Sequence, residues 1–200
     1  AAVGCIEGIR SADPTGPVTV ISDEPYPAYS RPLISYLLCG RTTEEKMRMR
    51  PAGFYEKNGV RTLLGKRAVR VDSGRKAVLL DSGESIPFDR LLIAAGSRPF
   101  VPPMKGLERV EQKFSFLKLG DAKALGTSLT PKSRVLIVGA GLIGLKCAEG
   151  IRDRAGTVTV VDLADRILPS ILDPQGSGMV RKHIESQGVR FLLGDSVAEF

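Results

Sequence analysis

Short runs of β-branched and other apolar residues alternate along this chain with segments in which apolar residues recur at a helical period. The runs predict buried strands, and the periodic segments predict helices packed beside them. The predicted strands lie at 18–22, 60–72, 76–83, 89–96, 134–140, 157–162 and 189–194, with a last one beginning at 196–200. The predicted helices lie at 1–10, 31–39, 43–58, 121–129, 141–154 and 175–187.

The order of these elements predicts two α/β lobes, residues 1–112 and residues 113–200. The proline-rich stretch SRPFVPPMKG, residues 97–106, reads as the connection that leaves the first lobe. We expect both lobes to be incomplete. A parallel unit normally places a strand and a turn before a first helix such as 1–10, and SVAEF at 196–200 is typical of a strand that is only beginning.

The predicted helix at 31–39 has recognisable ends. Ser30 is the expected N-cap, Pro32 lies in the first turn, and Gly40 is the expected C-cap. The loop DEPYPAY at 23–29 connects the predicted strand at 18–22 to this helix.

Charge and composition exclude several classes of protein. The net charge of +7 is spread along the chain, and its one basic cluster, KMRMRP at 46–51, reads as a solvated helix end. No aromatic-interleaved basic pattern indicates nucleic-acid binding, although an acidic partner protein stays open as a ligand for the cluster. No apolar run approaches the ~20 residues that span a bilayer, and residues 1–10 do not form a signal peptide. We therefore expect a cytoplasmic protein without a membrane segment.

The chain offers little side-chain chemistry of its own. Cys5, Cys39 and Cys147 are far apart and form no CxxC pair, which favours neither a structural zinc site nor disulfides. The single histidine, His183, lies in a polar helical pattern, so serine-triad and histidine-metal chemistry find no support.

The most specific motif is RVLIVGAGLIGLKCAEG at 134–150. Gly139, Gly141 and Gly144 follow a β-branched strand and open a helix, which is the arrangement that dinucleotide binding requires. The first glycine makes the tight turn, the second lets the backbone approach a pyrophosphate, and the third allows close packing of helix and strand. Leu142 and Ile143 lie at the helix N-terminus, whose N–H groups bind phosphates.

The strand TVTVVD that follows ends in Asp162, whose carboxylate can bind both hydroxyls of a ribose. An acid there repels a 2′-phosphate, so we expect NAD(H) in preference to NADP(H). Arg166, in the following loop, is a candidate for the adenosine end, with an ordinary surface arginine as the alternative.

Three stretches together resemble the pyridine nucleotide-disulfide oxidoreductase superfamily, the flavoproteins with two Rossmann-like dinucleotide folds. They are YSRPLISYLL at 29–38, DRLLIAAGSRPFVPP at 89–103 and VLIVGAGLIGLKCAE at 135–149. The likeness is to the branch of rubredoxin reductases, ferredoxin reductases of oxygenase systems and the flavin module of NADH-nitrite reductases. It implies that residues 1–112 are the first segment of an FAD-binding domain and residues 113–200 a truncated NAD-binding domain.

The resemblance implies roles for residues of the first lobe. Glu24, or Asp23 beside it, resembles the acid that holds the FAD adenosine ribose. Further FAD residues implied by matching positions are Arg31 and Pro32 in the loop along the FAD, Val69 at the adenine, and Ala94, Ala95 and Gly96 in place of an Ala-Thr-Gly turn. The alternative for Glu24 and Arg31, each taken by itself, is a solvated charge in a loop. The alternative for the turn at 94–96 is simply the end of a strand.

Two positions depart from the family pattern near the reaction centre. Many relatives have a lysine in RPxLSK that pairs with a glutamate beside the NAD fingerprint, where this chain has Tyr36 and Lys146. Lys146 is therefore a candidate for positioning nicotinamide or stabilising reduced flavin, and an ordinary helix-surface lysine is the alternative.

Cys39, in ISYLLCG, resembles the single redox cysteine of NADH peroxidases and coenzyme A-disulfide reductases. The likeness stops at Gly40, and the CxxxxC of dithiol enzymes is absent. A cysteine at the C-terminal end of a helix faces the negative end of the dipole, which disfavours a thiolate, so packing is the preferred interpretation.

The resulting hypothesis is an FAD-dependent oxidoreductase that takes hydride from NADH and passes electrons to an acceptor. A small rubredoxin- or ferredoxin-like protein is the first choice of acceptor, and a small molecule is the second. The alternatives are an NADH peroxidase, oxidase or coenzyme A-disulfide reductase that uses Cys39, and a non-catalytic dinucleotide sensor. The sequence leaves a homodimer open.

Overall fold

The computed structural model describes residues 1–200. Seven α-helices, α1 to α7, span Ala2–Ala12, Ile34–Leu38, Glu44–Met47, Phe54–Lys57, Leu119–Ser128, Leu142–Ile151 and Pro174–Glu185. Eight strands, β1 to β8, span Val18–Ser22, Val60–Leu64, Ala68–Asp72, Ala77–Leu80, Ser85–Pro87, Arg134–Val138, Thr157–Asp162 and Val189–Leu193. Short 3₁₀ turns lie at Arg31–Leu33 and Leu107–Arg109.

The chain divides into two compact units. The first unit contains Ala1–Ser30 and Arg48–Ser97, and the second contains Arg31–Met47 and Arg98–Phe200. The segment that carries α2 and α3 therefore belongs to the second unit, although the chain enters it from β1 of the first.

The first unit contains two small sheets. Strands β1 and β2 pair in parallel, with Val18 opposite Val60, and β3, β4 and β5 form an antiparallel sheet in that order. The buried core on β4 and β5 consists of Val78, Leu80 and Ile86, and partly buried side chains from β1, β2 and the end of β5 pack against it: Ile21, Leu63 and Phe88. Burial of apolar side chains stabilises a fold by ~25 cal/mol for each Å² of apolar surface that is removed from water.

Strand β3 carries a bulge at Val69. Ala68 lies opposite Leu80 and Arg70 lies opposite Leu79, so Val69 is one extra residue in the ladder. The extra residue of a bulge is left out of the regular pairing, which frees its backbone for other contacts.

The second unit is built on a parallel sheet in the order β6, β7, β8. Strand β7 is central, and its side chains Val158, Val160 and Val161 are buried, as expected for a strand covered on both faces. The crossover from β6 to β7 is α6, and the crossover from β7 to β8 is α7. These are two consecutive βαβ units, the arrangement that the sequence predicted.

Helix α2 packs against α5 and α6 within the second unit. Gly150 of α6 lies so close to α2 that a Cβ built on it would be 3.0 Å from the Ser35 carbonyl oxygen. Arg154, just after α6, donates to the carbonyl oxygens of Leu38 at 3.4 Å and Gly126 at 2.8 Å. One guanidinium thus joins the C-terminal end of α2 to α5.

Some predicted elements differ from the structure. The single helix expected at 43–58 is two short helices, α3 and α4, because Pro51 cannot continue a helix and Arg48 instead forms a β-bridge with Tyr29. Segment 89–96 is exposed and irregular, since no strand of the first unit pairs with it. Residues 195–200 form no strand, and the Phe200 N–H donates to the Lys105 carbonyl oxygen at 2.9 Å.

Two further details were not predicted. Strand β5 lies between the predicted strands at 76–83 and 89–96, where no strand was predicted. The first turn of the 31–39 helix is 3₁₀, with Leu33 as the N-cap of α2 rather than Ser30. The α/β fold class is nevertheless confirmed. None of the helices is long and apolar enough to cross a membrane.

Candidate functional site

The turn after β6 has the geometry that its three glycines predict. Gly139 adopts φ +113°, which disfavours any residue with a Cβ, and its N–H donates to the Val161 carbonyl oxygen at 2.8 Å. A Cβ on Gly144 would lie 2.0 Å from the carbonyl oxygen of Gly139. The first glycine therefore makes the turn, and the third lets α6 begin directly against it.

Asp162 supports the same turn. Its Oδ2 accepts a hydrogen bond from the Ala140 N–H at 2.6 Å, and its Oδ1 accepts one from the Ala164 N–H at 2.8 Å. The sequence predicted a carboxylate at the end of β7 but not its bond to the residue between Gly139 and Gly141. A carboxylate has about four acceptor sites, so Asp162 retains capacity for ribose hydroxyls beside the turn.

The N-terminus of α6 faces open space. The first helical bond runs from the Leu145 N–H to the Gly141 carbonyl oxygen at 3.0 Å, so the N–H groups of Leu142, Ile143 and Gly144 precede the hydrogen-bonded ladder. No atom lies within 4 Å of a Cβ built on Gly141. This combination of space, N–H donors and a helix dipole fits the pyrophosphate of a dinucleotide.

Arg166 lies on a cleft of about 300 Å³ whose lining includes Ser177, Arg181 and Leu193. Its two terminal nitrogens donate to Asp165 at 3.3 Å and to the Pro169 carbonyl oxygen at 3.5 Å, whereas its Nε is buried and has no acceptor. The role of Arg166 at an adenosine stays a prediction. The structure adds that this side chain is held by its own loop.

In the first unit, Glu24 is buried just beyond the end of β1. The Tyr29 hydroxyl donates to its Oε2 at 2.6 Å, and its backbone oxygen accepts from the Gly65 N–H at 3.1 Å. Asp23 is exposed. Sequence reasoning named both acids but missed Tyr29, whose hydroxyl sets the direction of the Glu24 carboxylate.

The other predicted FAD residues are dispersed. Val69 is the bulged residue of β3 and is 53% exposed, which leaves its backbone accessible. Ala94, Ala95 and Gly96 lie in the exposed segment after β5, whereas Arg31 and Pro32 form the 3₁₀ turn of the second unit. A cleft of about 220 Å³ in the first unit has none of these among its lining residues, which are instead Val3, Pro27, Ala28, Arg48, Arg50, Pro51, Ala52, Gly53, Phe54, Tyr55, Glu56, Thr62 and Leu64.

Lys146 faces α2. Its Nζ lies 4.2 Å from the centre of the Tyr36 ring and also forms an ion pair with Oε2 of Glu149, one turn further along α6. The other oxygen of Glu149, Oε1, accepts from Arg41 at 3.3 Å. The two positions at which this chain departs from the family pattern, 36 and 146, are therefore in direct contact as a cation–π pair.

The three cysteines lie in different settings, and Cys5 is half-buried in α1. Cys39 is half-buried at the C-terminal end of α2, and its Sγ donates to the Tyr36 carbonyl oxygen at 3.6 Å. Cys147 is buried in α6, and desolvation raises the pKa of its thiol to about 12. The burial of Cys147 therefore favours a protonated thiol over a nucleophilic thiolate.

A family model described as pyridine nucleotide-disulphide oxidoreductase matches residues 1–200. The chain belongs to this family. Its members are NAD(P)H-dependent flavoprotein oxidoreductases, so the predicted family and the cofactors FAD and NAD(H) are confirmed at the level of the family. The role of each site residue stays a prediction.

Three similar proteins illustrate the match. The NADH nitrite reductase large subunit of Escherichia coli K12 is 33% identical over 173 residues, 86% of this chain and 20% of that protein. A ferredoxin reductase structure from Rhodopseudomonas palustris has a TM-score of 0.85 at 26% identity, covering 97% of this chain and 48% of that one. A putidaredoxin reductase–putidaredoxin complex has a TM-score of 0.86 at 25% identity, covering 99% and 49%. The chain thus spans about half or less of the length of these relatives.

Proposed function

We propose that this chain is the nucleotide-binding part of an NADH-dependent flavoprotein that delivers electrons to a small electron-transfer protein. The observation that carries the proposal is the turn at 139–144, braced by Asp162 and open at Gly141. The family match over the whole chain supports the second cofactor, FAD.

In this proposal residues 113–200 bind NADH. The N–H groups of Leu142 and Ile143 bind the pyrophosphate, Gly141 leaves room for it, and Asp162 binds the ribose hydroxyls. Because the Asp162 carboxylate already accepts from Ala140 and Ala164, it is held at the rim of the turn. A 2′-phosphate would meet this negative charge, so NADH is preferred to NADPH.

Residues 1–112 contribute to the FAD site. Glu24, oriented by Tyr29, holds the adenosine ribose, and the unpaired backbone of Val69 contacts the adenine. Asp23, Arg31, Pro32 and the turn Ala94–Ala95–Gly96 complete the set that the family pattern suggests. When bound, FAD supplies the redox chemistry, accepting hydride from NADH and passing the electrons on.

A small rubredoxin- or ferredoxin-like protein is the proposed acceptor. The named relatives include a ferredoxin reductase and a reductase in complex with putidaredoxin. A net charge of +7 suits an acidic acceptor, since complementary charge speeds association.

An anaerobic titration of the full-length holoprotein with NADH tests this proposal. One equivalent of NADH per flavin is expected to bleach the flavin absorbance completely, and NADPH is expected to do so much more slowly. No bleaching by either nucleotide would refute the oxidoreductase and favour a dinucleotide sensor.

The same titration examines Cys39. A second equivalent that disappears in Cys39→Ser would assign a redox role to this cysteine and favour the peroxidase or disulfide reductase. We expect no second equivalent, because the Cys39 thiol donates to a helix carbonyl oxygen and lies at the negative end of α2.

A further inference from the structure

Three charged side chains and one ring form a cluster on the α2–α6 side of the second unit. Lys146 and Glu149 come from α6, Tyr36 comes from α2, and Arg41 follows the end of α2. We name these four residues the Glu149 cluster. They are brought together by the close approach of α2 to α6 at Gly150.

Glu149 is the centre of this cluster. Its Oε2 pairs with Lys146 and its Oε1 pairs with Arg41, so each carboxylate oxygen holds a different cation. The Lys146 and Glu149 side chains are only 30% and 29% exposed. An ion pair that is this sheltered and shares a partner with a second cation is worth more than an exposed pair.

Lys146 is thereby constrained from two directions. Glu149 pulls its ammonium along α6, and the face of Tyr36 attracts it from α2 at 4.2 Å. A lysine with four rotatable bonds normally samples many positions, and two partners on different helices restrict it to few.

We propose that Glu149 is a positioning residue that fixes the Lys146 ammonium on the face of Tyr36, so that this charge has a set place when the flavin is reduced by NADH. The inference rests on the proposed function and on the expectation from the sequence that Lys146 positions nicotinamide or stabilises reduced flavin. Glu149 itself touches neither cofactor in this proposal and acts only through Lys146.

Charge and position predict opposite effects of Glu149→Gln. The substitution removes a negative charge, and by charge alone a more positive site favours reduced flavin and speeds its formation. An amide has one acceptor oxygen in place of two, so it cannot hold both Lys146 and Arg41, and a misplaced ammonium slows the reaction. A slower Glu149→Gln variant therefore identifies positioning.

The first test measures the position of Lys146 without any turnover. In the full-length holoprotein, limited acylation with acetic anhydride is followed at each lysine by mass spectrometry. We expect Glu149→Gln to raise the acylation rate of Lys146 by about 3- to 10-fold, because a side chain that Glu149 no longer holds presents its neutral amine, the form that reacts, to the reagent more often. The matched control is Glu44→Gln, which removes the partner of Lys123 at 2.7 Å and should leave Lys146 unchanged.

The second test measures the rate of flavin reduction by NADH in a stopped-flow instrument. We expect Lys146→Gln to lower the rate about 10-fold and Glu149→Gln to lower it about 5-fold, with the double variant no slower than Lys146→Gln. Tyr36→Leu should slow the reduction about as much as Glu149→Gln, and Tyr36→Phe, which keeps the ring, should slow it less than Tyr36→Leu. If Glu149→Gln does not fold, the comparison of the two Tyr36 variants still tests whether the position of Lys146 affects the rate.

Several results would overturn the inference. They are an unchanged acylation rate of Lys146 in Glu149→Gln, a faster reduction, or losses in the double variant that simply add. If NADH does not reduce the wild-type flavin at all, the proposed function fails, and the acylation rates still decide whether Glu149 holds Lys146.

Discussion

At the scale of single residues, the site depends on contacts that leave no room for one more carbon atom. The carbonyl oxygen of Gly139 occupies the space where a Cβ on Gly144 would lie, at 2.0 Å. That oxygen belongs to the backbone of the turn, so no side-chain movement relieves the overlap. The dinucleotide turn and the start of α6 therefore have to shift together if residue 144 changes.

We expect Gly144→Ala to lower the affinity for NADH at least 10-fold and to destabilise the second unit by about 1–3 kcal/mol, the usual cost of overpacking. The overlap displaces the turn whose N–H groups bind the pyrophosphate. Isothermal titration calorimetry with the full chain and a thermal melt measure the two effects.

Gly8 provides the control, because it lies within α1 of the first unit and a Cβ on it meets no atom within 4 Å. Gly8→Ala should leave the affinity unchanged and stabilise α1 by about 0.5–1 kcal/mol through helix propensity. An unchanged affinity for NADH in Gly144→Ala would contradict the proposed site.

The raised pKa of the Cys147 thiol predicts chemical inertness. With a pKa of about 12, this thiol is almost entirely protonated at pH 8, and it is also buried in α6. Iodoacetamide should leave Cys147 unmodified in the folded chain and modify it after denaturation, as measured by peptide mass spectrometry. The labelling rate should increase as the pH is raised towards 12, and rapid labelling at pH 8 would show that the helix opens.

At the scale of elements, the ends of α2 decide how the segment 31–47 is held. Gly40 adopts φ +71°, its N–H donates to the Leu37 carbonyl oxygen at 3.1 Å, and the Arg41 N–H donates to the Tyr36 carbonyl oxygen at 2.8 Å. This is a Schellman motif. The sequence predicted that α2 ends at Gly40, and in the structure the C-cap is Cys39, with Gly40 as the left-handed residue after it. It also directs Arg41 back towards Glu149 of α6.

Replacing Gly40 by alanine should destabilise the chain by about 1–2 kcal/mol, since a left-handed conformation is costly for a residue with a Cβ. Urea denaturation of the full chain measures the change. Gly120→Ala, in α5 and with no atom within 4 Å of the new Cβ, is the control and should not destabilise. Equal stability of the Gly40 variant and the wild type would mean that the motif does not hold the end of α2.

At the scale of the whole molecule, three ionised carboxylates on the surface of the first unit contribute to the response of stability to acid. Arg50 holds the pKa of Glu7 below its usual value of 4.5. Backbone N–H donors, chiefly those of Gly16 and Arg75, hold the pKa values of Asp13 and Asp72 below 3.8. A lowered pKa in the folded state means that the stabilisation is present above the ordinary pKa and is lost as the pH falls.

The urea midpoint should therefore be nearly constant from pH 7 to about pH 5 and fall as the pH is lowered through 4.5 and 3.8 towards the lowered values. Glu7→Gln should have a smaller decrease over this range because it removes one of the three contributing groups. A midpoint that rises as the pH falls would contradict the assignment.

What sequence alone could predict follows from periodicity and special residues. Apolar runs located seven of the eight strands, although the single strand predicted at 60–72 is two strands, β2 and β3, in different sheets. The glycine pattern located the dinucleotide turn, because both signals are local in the chain. Strand β5 was missed because it is only three residues long. Segment 89–96 was wrongly predicted as a strand, because an apolar pattern does not tell whether a neighbouring strand is there to pair with it.

The candidate site likewise combines features that the sequence predicts with features that only the structure shows. By itself the sequence determined the turn at Gly139–Gly144, the acid at Asp162 and the unusual pair of Tyr36 and Lys146, since each is a residue type at a fixed spacing. Only the tertiary structure decided that Asp162 bonds to Ala140, that Tyr29 orients Glu24, and that Tyr36 and Arg41 meet the Lys146–Glu149 pair of α6. The Lys146–Glu149 pair itself is a local i,i+3 contact on one helix. The other contacts depend on how loops, helices and strands pack against one another, and no local pattern in the sequence encodes that packing.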